Sequence, residues 1–248
     1  MMESSRHLVA LRVSLVAALG ASLLVAAGCR RLGLSSQGGK NPEVNLPSPP
    51  TRETGTAEKS AECMACHTEI EKEFASDAHK AGDFSCATCH GASQAHLEKV
   101  ELDALPERTW RHWDGKRWVW RLPQATWKVA QFCASCHAAE RAERQGAKAI
   151  GWDAFAGHRH GKALQRGCVD APTCTDCHAA HGATQRPWQP EEIIELCASC
   201  HGNKEMMKRA GVKERVIEDF RAGTHGTMPK VAPELRTSCL SCHHPHAR

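Results

Sequence analysis

CMACH at 63–67, CATCH at 86–90, CASCH at 133–137, CTDCH at 174–178, CASCH at 197–201 and CLSCH at 239–243 decide how this chain folds. They use twelve of its fourteen cysteines. On a helical turn, positions i, i+3 and i+4 share a face. The two thiols of each motif can therefore bond the two vinyl groups of one porphyrin while the histidine reaches its iron. Cys-x-x-Cys-His is the attachment signature of a c-type haem. The covalent anchors are Cys63, Cys66, Cys86, Cys89, Cys133, Cys136, Cys174, Cys177, Cys197, Cys200, Cys239 and Cys242, and the proximal ligands are His67, His90, His137, His178, His201 and His243. The expected cofactors are six covalently attached haem c groups. Three four-cysteine zinc sites are the rival, but zinc ribbons have no reason to place histidine after every pair. A thioredoxin-like motif would occur once, near a βαβ pattern. A disulfide framework explains neither spacing nor histidines.

Outward from the motifs, a longer repeat appears. Each of three units holds one CxxCH, a Phe, a His five residues later, a second CxxCH and a trailing His. Unit 1 is 61–96 with Phe74, His79 and His96; unit 2 is 133–181 with Phe155, His160 and His181; unit 3 is 197–248 with Phe220, His225 and His246. The step from His160 to Cys174 equals that from His225 to Cys239, and Cys174 to His181 equals Cys239 to His246. These six extra histidines supply one distal ligand per iron. An iron between two imidazoles is six-coordinate, with no open position for a substrate, and passes electrons. His158 is an alternative to His160, and His244 to His246. His7 and His112 have no repeat counterpart. Methionine is the other common sixth ligand, but Met206, Met207 and Met228 do not recur across units and Met64 lies inside a motif.

The fold class that follows is mainly α with extensive coil, a haem-dominated fold of three tandem diheme repeats with one inserted β-hairpin. With five Phe and no Tyr, the porphyrins must supply most of the buried apolar area. Short helices are expected over 69–80, 129–145, 190 onward into the fifth motif, and 213–222, the third of these opened by Pro190-Glu191-Glu192. Loops are expected over 167–173 and 228–238. Residues 97–132 interrupt the repeat and hold Trp110, Trp113, Trp118, Trp120 and Trp127. Asp114-Gly115 between alternating residues signals a hairpin. It serves as a docking surface, as a shield for a haem edge, or simply packs on its own domain. Cys168 falls outside the motifs and is read as a buried, inert cysteine, Cys29 being its sole possible partner.

Residues 1–28 read as a lipoprotein-type signal peptide, with Arg6 and Arg12 before the apolar run 13–27. Ala26-Ala27-Gly28-Cys29 makes Cys29 the lipidation site. Residues 29–60, with PSPP at 47–50, read as a disordered tether. The mature domain is thus exported, to the periplasmic side or the cell surface, and associates with a membrane through a lipid anchor. The formal net charge of +4 does not imply nucleic acid. Six haems bring about twelve propionates, which outweigh it, and no basic run or phosphate loop is present.

FASDAHKAGDFSCATCHGASQAH (74–96) and HGKALQRGCVDAPTCTDCHAAHG (160–182) resemble the doubled-CxxCH units of multihaem c-type cytochromes of bacterial respiration. They are also similar to repeats of periplasmic decahaem electron-transfer cytochromes. The resemblance implies bis-histidine haems in a chain, and other redox proteins as partners, namely quinol-oxidising or terminal-reductase cytochromes. The expected function is electron transfer without catalysis. The alternative is a multihaem oxidoreductase of the nitrite or hydroxylamine type, or an electron-donating subunit of one. Such enzymes need an open haem, often marked by CxxCK or a nearby tyrosine, and this chain has neither.

Overall fold

The computed structural model describes residues 46–50, 56–82, 84–91, 93–99, 104–113, 118–120, 125–146, 148–184, 186–227 and 236–246. The expected signal peptide, Cys29 and most of the expected tether lie outside these residues. The chain is mainly helical, with extensive coil between short helices. No helix among the described residues is long and apolar enough to cross a membrane.

One pattern recurs three times. The first motif of each unit closes a longer helix. These helices are α1 (Thr56–Met64), which runs straight into Ala65–His67, then α6 (Ala125–His137) and α11 (Pro190–His201). The second motif of each unit stands alone on a single turn: α4 (Cys86–His90), α10 (Cys174–His178) and the 3-10 turn Cys239–Ser241. A turn so short needs its orphan amides satisfied. Each has a reciprocal capping box: Ser85 with Thr88, Thr173 with Asp176, and Ser238 with Ser241. All three caps are buried, so solvent does not compete with them. An N-cap hydroxyl contributes about 1 kcal/mol, a large share of the stability of one turn.

Between the two motifs of every unit the chain makes a helix–elbow–helix. The pairs are α2 (Thr68–Ala75) with α3 (Ala78–Ala81), α8 (Trp152–Gly157) with α9 (Arg159–Gln165), and α13 (Val216–Ala222) with α14 (Thr224–Thr227). The repeat Phe lies in the last turn of the first helix, and the repeat His is the second residue of the next. The helices expected over 69–80 and 129–145 are each broken in two. The first breaks at Ser76-Asp77, where the Asp77 carboxylate caps α3. The second breaks at Ala138, between α6 and α7 (Ala139–Gln145). Two further helices are α5 (Gln94–Glu98) and α12 (Lys204–Ala210).

The strands β1 (Arg111–Trp113) and β2 (Trp118–Trp120) pair antiparallel, with Arg111 opposite Trp120 and Trp113 opposite Trp118. The Asp114-Gly115 turn lies outside the described residues. Arg111 ties this ribbon to α10 through Asp176 at 3.1 Å. Trp110 lies 5.3 Å from Phe132, ring to ring, and Trp127 lies 5.1 Å from Trp152. Both therefore pack on the chain's own helices.

A small core gathers around unit 2: Ala130, Ala134, Ala138, Trp152, Phe155, Ala156, Leu164, Cys168 and Ala171. Five of these nine side chains are alanine, so helix backbones approach closely but little apolar area is buried. Phe155 is buried beside Trp152. Within the expected tether, Leu46 packs on this core, and Arg141 donates to the carbonyls of Leu46 and Pro47.

Candidate haem-binding site

The six motif histidines and the six repeat histidines all lie among the described residues, and ten of the twelve rings face each other in pairs. Centroids of His67 and His96 are 6.1 Å apart with planes at 27°. His90 faces His181 at 6.1 Å and 33°. His137 faces His79 at 6.0 Å and 84°. His178 faces His246 at 5.7 Å and 28°. His201 faces His160 at 6.1 Å and 37°. Bonds of about 2 Å from one metal to two imidazole nitrogens place the ring centroids about 6 Å apart. Rings in van der Waals stacking would lie closer. The observed separations match a metal between the rings.

Hydrogen bonds fix which nitrogen is offered. The Nδ1–H of His90 donates to the Arg108 carbonyl at 3.1 Å, and that of His137 to the Lys148 carbonyl at 2.8 Å. The His79 Nδ1–H donates to the Asp77 carboxylate at 2.9 Å. A ring held through Nδ1 presents Nε2 to a metal, which is how ligating histidines are usually oriented. The Nδ1 atoms of His96 and His201 are buried without a hydrogen-bond partner among the described residues. Burial, ahead of nearby charges, holds His90, His178, His181, His201 and His246 below the ordinary imidazole pKa. It takes His160 to about 4, with His158 and His201 adding to the effect. Neutral imidazole is the form that binds a metal.

His225 and His243 are the remaining two, and among the described residues neither has a ring packed against it. His225 lines an open depression with Phe220, Ile194 and Thr237. That depression lies between α11 and the approach to Cys239. His158, the alternative to His160, caps α9 by accepting from the His160 amide, and its ring meets His160 edge-on at 5.4 Å. The ring of His160, not His158, faces His201. His246, not His244, faces His178.

The thiols form a second recurring pattern. All twelve motif cysteines are free of disulfides. Within each unit the first cysteines of the two motifs are near enough to perturb each other's thiol: Cys63 and Cys86, Cys133 and Cys174, and Cys197 and Cys239. Burial holds Cys89 and Cys177 up at about 11, with Cys136 and Cys200, each from the next motif along, among the smaller causes. Successive motifs are thus neighbours throughout. No group of three or more His, Cys, Asp or Glu converges to hold a bare metal ion among the described residues. Paired imidazoles flanked by free CxxC thiols fit haem c.

Around the second motif a clamp appears that the sequence reading missed. Arg108 donates from Nε to the Cys89 carbonyl at 2.8 Å and reaches the carbonyls of Ala87 and Thr88. These are carbonyls left open at the end of α4, and a guanidinium there also suits the helix dipole. Gly91 follows with φ 75°, and a Cβ there would lie 2.5 Å from a Glu107 carboxylate oxygen. The signal is weak, since Arg108 lies 18 residues beyond His90 in sequence.

Residues 167–206 match the doubled CXXCH motif family. Over 220 residues the chain is 24% identical to the multiheme cytochrome MtrA of Shewanella baltica, covering 86% of this chain and 53% of that protein. It thus spans about half the length of that curated relative. No solved structure matches. The matched motif and the relative, with the repeated attachment sites, support a multihaem c-type cytochrome.

Proposed function

We propose that the chain is a hexahaem c-type cytochrome that relays electrons through bis-histidine haems in an exported respiratory chain. The observation that carries this reading is the set of five imidazole pairs at 5.7–6.1 Å, each joining one motif histidine to one repeat histidine. Bound haem supplies one-electron exchange at its iron. The chain's own residues do the rest. Cys-x-x-Cys pairs fix each porphyrin edge, facing imidazoles close both axial positions against substrates, and carbonyls and Asp77 hold the rings in orientation. The three neighbouring cysteine pairs support three diheme units, and the proximity of Cys89 to Cys136 and of Cys177 to Cys200 supports a continuous row from the first motif to the sixth. The β1–β2 ribbon is read as an insertion between units 1 and 2, fastened to unit 2 through Arg111 and Asp176.

Export by residues 1–28, lipidation at Cys29 and redox partners of the quinol-oxidising or terminal-reductase kind belong to the same reading. Cys168, expected to be a buried, inert cysteine, is buried but held in a disulfide, and lipidation at Cys29 would commit that residue's sulfur to a thioether.

A second reading, a multihaem oxidoreductase of the nitrite or hydroxylamine type, draws on one observation: neither His243 nor His225 faces another ring among the described residues. Carbon monoxide separates the two. The electron-relay reading expects the reduced native protein to bind none and the ferric protein to be wholly low-spin. Binding at one haem with a high-spin ferric signal supports the enzyme.

A further inference from the structure

Four of the five facing pairs cross from one unit to the next. From this, and resting on the bis-histidine reading above, we infer that successive diheme units exchange distal ligands reciprocally, so that each junction is stapled by two imidazole–iron–imidazole bridges running in opposite directions. At the first junction, His79 of unit 1 faces His137 of unit 2, and His181 of unit 2 faces His90 of unit 1. At the second, His160 of unit 2 faces His201 of unit 3, and His246 of unit 3 faces His178 of unit 2. The rule is the same at both. The His after Phe goes forward to the first motif of the next unit, and the trailing His goes back to the second motif of the unit before. Unit 1 has no predecessor in this row, and its leftover members, His67 and His96, face each other.

Protein contacts independent of the rings hold the same crossings. At the first junction the buried Asp77 carboxylate accepts from the Ala183 amide at 2.7 Å and from both the amide and Nδ1 of His79. The Ala78 amide donates back to the Ala183 carbonyl at 2.9 Å. The strand of chain that carries His181 is thereby fastened beside His79. At the second junction a Cβ on Gly151 would lie 2.8 Å from the His246 carbonyl oxygen, so the tail of unit 3 runs directly against unit 2. A unit cut out alone lacks the distal ligand of at least one of its irons, and its neighbour holds it.

His181→Met in the full holo-protein tests this. One iron should become His–Met ligated, seen as a new methionine–iron charge-transfer band and an upward-shifted potential at one haem of six. With Cys86→Ser and Cys89→Ser added, which remove the haem of motif 86–90, the band should vanish. With Cys174→Ser and Cys177→Ser instead, it should persist. The reverse result means ligation within the unit and overturns the exchange while leaving bis-histidine ligation intact. Absence of any spectral change in the single variant overturns the exchange together with the reading beneath it. Where a motif deletion prevents folding, carbon-13 methyl labelling of the single variant decides. Contacts of the introduced methyl with the thioether protons of Cys86 and Cys89 support the exchange, and contacts with those of Cys174 and Cys177 refute it.

Discussion

At the residue scale, the repeat pattern names twelve histidines, ten of which stand in facing pairs among the described residues, but it does not give the pairing. Repetition of Phe–x4–His singles out His79, His160 and His225, because unrelated surface histidines do not recur in register. Which iron each serves depends on how units meet, and no spacing within a unit encodes that. The pairs are not equivalent. His79 and His137 cross at 84°, whereas the other four lie between 27° and 37°. Near-parallel imidazoles split the two π-type d orbitals of low-spin ferric iron. Near-perpendicular ones leave them almost degenerate and raise the largest g value. Electron paramagnetic resonance of the oxidised protein should therefore show one strongly anisotropic species, of about one spin in six, over rhombic signals. A spectrum without it contradicts the 84° crossing. The same His79 donates to a buried carboxylate, which makes its ring a stronger donor to a metal. Asp77→Asn should raise the potential of a single haem and leave the other five unmoved in a redox titration. A uniform shift, or none, would assign Asp77 to junction packing alone.

Elements carry a signal that the spacing argument passed over. Gly161 and Gly226 each follow the repeat His, and a Cβ would lie 2.1 Å from the Phe155 carbonyl oxygen at the first and 2.2 Å from that of Phe220 at the second. The elbow closes so tightly that only hydrogen fits, and this sets where the His emerges. Gly161→Ala should open the elbow, destabilise the protein by about 1–3 kcal/mol as overpacking does, and disturb the low-spin signal of one haem. Gly157→Ala, with open space around the added methyl, should do neither. Equal effects from both would mean that helix propensity, not the elbow, is at issue. The Ser85, Thr173 and Ser238 caps were also readable, since a Ser or Thr before a cysteine with a polar residue at the third helical position is a capping signature. They escaped notice because one turn has too few residues to show helical periodicity, and 167–173 and 228–238 read simply as loops. The breaks at Asp77 and Ala138 escaped for the opposite reason: helix-favouring residues flank both.

For the whole molecule, scarcity of aromatic residues pointed to a fold built around its cofactor, and the alanine-rich core around unit 2 agrees with that. Such a core offers little apolar burial against the entropy of ordering the chain. Protein made without haem ligation should show little helix by far-ultraviolet circular dichroism and no cooperative thermal transition. A native-like helical spectrum with a sharp transition would mean that the polypeptide folds on its own contacts.

Intact mass of the protein matured in a host with haem-ligation machinery tests the central claim most directly. Six haem masses above the processed polypeptide, with a red, wholly low-spin product, is the predicted result, and a further diacylglyceryl increment at Cys29 would place the anchor. A colourless product with the mass of bare polypeptide, or one carrying zinc in place of haem, would contradict the account at its root.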